Sequence, residues 1–135
     1  MQYFTEQWYY SGCPTVPAYE EYRKTIAEKL PDFFKTYHSL HDAIIKRISV
    51  REEYWNHYEV TISLDSQQSY SSVERLVFHG KEAKVNEALV GARWIADEVF
   101  ASGSHFALNV LLLCTDDEFR ELNVVFDTVD VVLAS

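Results

Sequence analysis

The hydrophobic period of the chain changes once, near residue 43, and this limits the fold more than any other feature. Beyond that point apolar side chains recur at every second position, the spacing of strands with one hidden face. Tyr58, Val60, Ile62 and Leu64 alternate with Glu59, Thr61, Ser63 and Asp65 in the cleanest example. Ile44, Ile48 and Val50 predict a strand before it, turning through 52–57. Leu76 and Phe78 predict the next, ended by Gly80, and Trp94 to Phe100 predict another. After the turn signal Ser102-Gly103-Ser104, Phe106, Leu108, Val110 and Leu112 share one face. Leu122, Val124 and Phe126 follow across an acidic turn, and Val129, Val131 and Leu133 end the series. The links between these strands contain no helices for parallel crossovers, so the strands form an antiparallel meander.

Before residue 43 the spacing is helical. Thr5 is placed to cap a short helix over 6–10. Pro17, Glu20 and Glu21 suit the start of a helix over 18–30 whose Tyr19, Tyr22, Ile26 and Leu30 form one apolar stripe, and Pro31 stops it. Phe33, Phe34 and Tyr37 predict a further turn of helix that plugs one end of the core. The expected fold class is α+β, with short N-terminal helices packed on a curved antiparallel sheet of about six or seven strands. A single domain over 1–135 is expected, with a helical, aromatic-rich part (1–42) and a sheet part (43–135). Cys13 and Cys114 have no C-x-x-C spacing and are expected to be free thiols, Cys114 as a small buried hydrophobe.

Charge narrows the classes of partner. A net charge of −9 opposes nucleic acid and anionic lipid. No apolar run reaches the roughly 18 residues of a membrane span, and the opening lacks the basic and apolar regions of a secretory signal, so a cytoplasmic location away from membranes is expected. The acidity is concentrated. The segment 96–135 carries Arg120 alone against Asp97, Glu98, Asp116, Asp117, Glu118, Glu121, Asp127 and Asp130. Such a surface either keeps the protein soluble or presents an anionic face to a cationic partner.

The compact polar motif is His38-Ser39-Leu40-His41-Asp42, at the junction of the two parts. His38 and His41 fall one helical turn apart and, with His57, His79 or His105, or with Asp42 and a carboxylate from Asp97 or Glu98, are candidates to ligate zinc or another transition metal. The favoured reading is a local cap that fixes how the chain enters the sheet. Asp97 and Glu98 point to opposite strand faces, so at most one faces the core. If Glu98 shares the face of Trp94 it is an acid or base candidate, but pairing with Arg93 or Arg75 is favoured. Tyr54 and Trp55 lie where a hairpin should turn. Each taken singly is expected to fold inward, and exposed they would be partner anchors.

Met1-Gln2-Tyr3-Phe4-Thr5, Ser39-Leu40-His41-Asp42-Ala43, and the segment from Gly91 through Trp94 to Asp97-Glu98-Val99 resemble an uncharacterised bacterial family of unknown function. Its members open Met-x-Tyr-Phe-Thr and carry Leu-His-Asp before a C-terminal β half. The resemblance implies a fold and no activity. A weaker similarity, at the level of the fold, is to small immunity proteins of bacterial toxin systems. The leading expectation is a non-enzymatic protein-binding domain, immunity-like, offering Asp116, Asp117, Glu118, Glu121, Asp127, Asp130, Tyr54 and Trp55 to a basic partner. No catalytic residue, metal or cofactor is nominated in that reading. The alternatives are a small metal-dependent hydrolase built on His38, His41 and Asp42, and a homo-oligomer joined through an exposed strand edge.

Overall fold

The computed structural model describes residues 1–36, 40–65, 72–85 and 87–133, so His38 and Tyr37 lie outside the described residues. The first helix, α1 (Glu6–Tyr10), starts where the Trp8 amide donates to the Thr5 hydroxyl at 3.1 Å. In α2 (Pro17–Ile26), Pro17 occupies the first turn, where its missing N–H leaves no donor unpaired. The helix stops one turn short of the expected end because the Lys29 amide bonds back only three residues, to the Ile26 carbonyl at 3.0 Å. Leu30 is nonetheless buried, and α3 (Asp32–Thr36) inserts Phe34 into the core as the aromatic spacing predicts. No helix among the described residues is long and apolar enough to cross a membrane.

Eight strands follow: β1 (Ile44–Tyr54), β2 (His57–Asp65), β3 (Val73–Gly80), β4 (Glu82–Lys84), β5 (Arg93–Ser102), β6 (His105–Leu113), β7 (Phe119–Phe126) and β8 (Thr128–Leu133). They form one antiparallel sheet, open in its hydrogen-bond order β4-β7-β6-β5-β1-β2-β3-β8. The fold is therefore α+β, with one strand more than the upper expectation. The extra strand is β4, three residues too short to show a period.

The two ends of that order meet. A single residue, Lys81, separates β3 from β4, and Asp127 alone separates β7 from β8. The pairs Arg75↔Val132 through His79↔Thr128 and the pairs Glu82↔Val125 through Lys84↔Asn123 keep one offset. Two bent strands thus run alongside each other and change neighbours at the bend, where the Asp127 amide donates to the His79 carbonyl at 2.7 Å. This curls the sheet around one core that includes Ile45, Val60, Ile62, Phe78, Trp94 and Phe126.

β1 and β5 share only one register pair, Ile44↔Arg93, and then diverge. The unpaired edge of β5 is satisfied by the N-terminal part: the Val99 amide donates to the Tyr19 hydroxyl at 2.8 Å and the Ala101 amide to that of Tyr22 at 3.0 Å. Burial pushes the Tyr19 phenol up, against the opposing effect of Arg23. β5 consequently hides both faces. Trp94 and Val99 enter the core, while Ile95 and Glu98 are buried outside that cluster. Val50 keeps the inward side, opposite the buried Val60, yet is 48% exposed because β1 has by then diverged from β5. The register shift between Ile45 and Arg47 makes Ile45, not Ile44, the buried residue in line with Ile48.

Candidate functional site

The outer faces of β1, β2, β3 and β8 are half-buried or exposed, and strand register sorts their side chains into rows. One row is Arg47, Ser63 and Arg75; with Lys46, Leu64 and Glu74 these line a cavity of about 320 Å³. At the other end Glu59 lies opposite His79, with Asp130 one row away on β8. Trp55 and Asn56 form a two-residue turn in which Asn56 takes the left-handed conformation, φ 55°, so Glu53 and His57 flank the hairpin tip. The Phe106↔Phe126 pair sets His105 beside Asp127 at the bend.

These placements join three imidazoles and four carboxyl groups. His79 Nδ1 lies 2.7 Å from Glu53 Oε1, and His79 Nε2 lies 3.3 Å from Asp130 Oδ2. His57 Nδ1 is 3.6 Å from the same Glu53 oxygen, and its Nε2 is 3.6 Å from Asp127 Oδ2. The other Asp127 oxygen bonds His105 Nδ1. The Tyr54 ring stacks on His57 with centroids 4.4 Å apart and planes 10° apart. The hydrogen bond to Glu53 holds the His79 imidazole above its ordinary value despite burial. The same bond holds Glu53 below its own. Chemically, the cluster can exchange protons or donate imidazole and carboxylate ligands.

The expected acidic face is divided. Asp116, Asp117 and Glu118 lie in the turn before β7, and Asp127 lies just past its end. An eight-residue strand spans roughly 27 Å between them. Glu121 pairs with the Met1 ammonium. Arg120 grips Asp116 with two hydrogen bonds, 2.8 and 2.7 Å, and holds its carboxyl at about 2. Its stabilising effect is complete above the ordinary value of 3.8 and is lost as pH falls through about 2. The stability gap between wild type and Asp116→Asn, followed by urea unfolding, should therefore narrow from pH 5 towards pH 2.

The junction motif builds a different set of contacts. His41 Nδ1–H donates to the Ile95 carbonyl at 2.9 Å, and His41 Nε2 lies 3.6 Å from Asp42. Asp42 turns the chain in the left-handed region, φ 72°, and meets Arg93 at 3.3 Å. Asp97 accepts from the Trp94 indole at 2.9 Å. Glu98 is the one charged residue among the fully buried side chains described. It pairs with neither Arg93 nor Arg75: its carboxyl accepts from the amides of Gln2 (2.6 Å), Tyr3 (2.9 Å) and Phe4 (3.4 Å) and from Asn109 (3.3 Å). Asn109 in turn accepts from Asn123 at 2.7 Å. Tyr54 and Trp55 point outward, 63% and 84% exposed, against the inward expectation for each.

Sequence reasoning missed Glu53, His57, Glu59, His79 and His105 as a group, because four strands and a bend bring them together. The usable signal was spacing: His57 and Glu59 share a face, and the hairpin register sets His79 opposite Glu59.

A family model described as a protein of unknown function (DUF4085) matches residues 14–123. The match takes in Leu40-His41-Asp42 and the segment from Gly91 to Val99, and begins after the Met1–Thr5 opening. No curated protein and no solved structure matches the chain.

Proposed function

From the premise that the chain belongs to the DUF4085 family, described only as of unknown function, we propose that it is a protein-binding domain that docks a basic partner at the β1–β2 hairpin end. One observation carries this reading. Trp55 stands 84% exposed at a tight turn, next in sequence to Tyr54 and two residues from His57, whose imidazole lies 3.6 Å from both Glu53 and Asp127. An indole left in water forgoes about 1.5–3 kcal/mol of burial, and tryptophan and tyrosine dominate the binding energy of interfaces. The carboxyl groups around them favour cationic side chains, and the net charge of −9 steers such a partner from a distance.

The test is affinity capture with the tagged chain from its native host, at low and high salt, beside a Trp55→Ala variant. A basic protein held at about 0.1 M salt should be released towards 1 M, as the screening length falls from about 10 to 3 Å. Trp55→Ala should weaken that complex roughly 30-fold, a loss of about 2 kcal/mol, while its own stability shifts by under about 0.5 kcal/mol. Equal capture by both chains, or capture indifferent to salt, overturns the reading.

A further inference from the structure

We infer that Glu53, Glu59, His57 and His79 form a binding site for one divalent transition-metal ion of the zinc class. Among the described residues, Glu53, Glu59 and His79 are the one group of three or more metal-type side chains whose donor atoms all lie within 4.8 Å of one another. Two carboxylates and an imidazole are zinc donors, and a fourth ligand completes the usual tetrahedral shell. His57 supplies it. Its Nδ1 is buried with no hydrogen-bond partner and lies 3.6 Å from the Glu53 oxygen that also faces His79. A buried nitrogen without a partner costs about 1–3 kcal/mol, and a cation at this point removes that cost.

The surroundings of both imidazoles favour the same geometry. Each turns Nδ1 towards Glu53 and Nε2 towards an aspartate, His79 towards Asp130 and His57 towards Asp127. A metal-bound imidazole is commonly oriented by a carboxylate on its other nitrogen, which fixes the tautomer and strengthens the ligand. Asp127 is itself held by His105. The donors come from adjacent strands of a hydrogen-bonded sheet, so the backbone need not rearrange to bring them together. The site shares Glu53 and Asp127 with the docking surface but needs no partner, as docking needs no ion, and it stands apart from the alternative hydrolase centre. His41 there is committed to the Ile95 carbonyl, Asp97 to the Trp94 indole and Glu98 to three amides.

Titrating zinc alone into the full metal-free chain at pH 7, by calorimetry, decides the matter without any partner. One ion per chain should bind, and His79→Ala and Glu53→Gln should each weaken it at least tenfold. Asp130→Asn, which leaves all four ligands, should weaken it about tenfold. His41→Ala and Trp55→Ala should bind as wild type. Cobalt in place of zinc should give the intense visible absorption of a tetrahedral ion, lost in His57→Ala. Thermal unfolding of each variant checks that it is folded. Failure of wild type to bind zinc below about 0.1 mM, or equal binding by wild type and His79→Ala, overturns the inference. Loss of binding in His41→Ala with retention in His79→Ala does so too.

Discussion

Glu98→Ala is expected to lower stability by about 3–5 kcal/mol, the largest effect of any single truncation outside the apolar core. Each buried donor left without an acceptor costs about 1–3 kcal/mol, and this carboxyl satisfies three consecutive amides and the Asn109 side chain. Partial access of water to residues 2–4 keeps the total below the full sum. Against the 5–15 kcal/mol typical of a domain, the loss is large enough to read directly from urea unfolding. Glu98→Gln keeps one accepting oxygen but turns an NH₂ group towards amide donors, and should cost about half as much. The lesion should also be local: amide hydrogen exchange should quicken first at residues 2–4 and at Val99 and Ala101, whose acceptors belong to the same N-terminal layer. A cost below about 1 kcal/mol would show that the amides find other acceptors.

Gly80→Ala is the second large effect, about 3 kcal/mol or more. A Cβ at this position would sit 2.2 Å from the Val125 carbonyl oxygen and 2.4 Å from the Phe126 Cα. Both are backbone atoms of the neighbouring bent strand, so no side chain can swing aside to make room. Gly103→Ala is the control. It meets nothing within 4 Å and pays only for its positive φ of 60°, about 1 kcal/mol. Thermal or urea unfolding of the two variants separates crowding at the bend from simple backbone strain. Similar losses in both would mean that the two strands can part at little cost.

How far the sequence foretells this molecule depends on whether a strand has one wet face. In β2, β3, β6 and β7 apolar residues alternate with polar ones because the outer side chains meet water or each other, and the inward sets are as the period predicts: Val60, Ile62 and Leu64; Leu76 and Phe78; Leu108, Val110 and Leu112; Leu122, Val124 and Phe126. β5 breaks the pattern because the helices cover its outer side, leaving Ile95 and Glu98 buried beside the inward Trp94 and Val99. The glutamate there reads as an ion-pair candidate because nothing local shows that amides from residues 2–4 will reach it. Thr5, Pro17 and Phe34 are legible since their roles are local: a cap, a first turn, a plug. The imidazole–carboxyl cluster depends on register between segments as distant as Glu53 and Asp130, and no window of sequence contains it. The junction histidine draws attention first because its neighbours in sequence are polar, yet in the folded chain it serves the Ile95 carbonyl.

The bend at Lys81 and Asp127 has a mechanical consequence. Each of the two strands crossing there is one unbroken length of backbone that belongs to both halves of the sheet, so the halves are tied like two panels sharing a pair of struts. Asp127 is both a joint of one strut and a contact of His57 and His105. A load placed on the hairpin end therefore enters these struts through the β2–β3 hydrogen bonds and the His57–Asp127 contact, and then runs along covalent chain into the other half of the sheet.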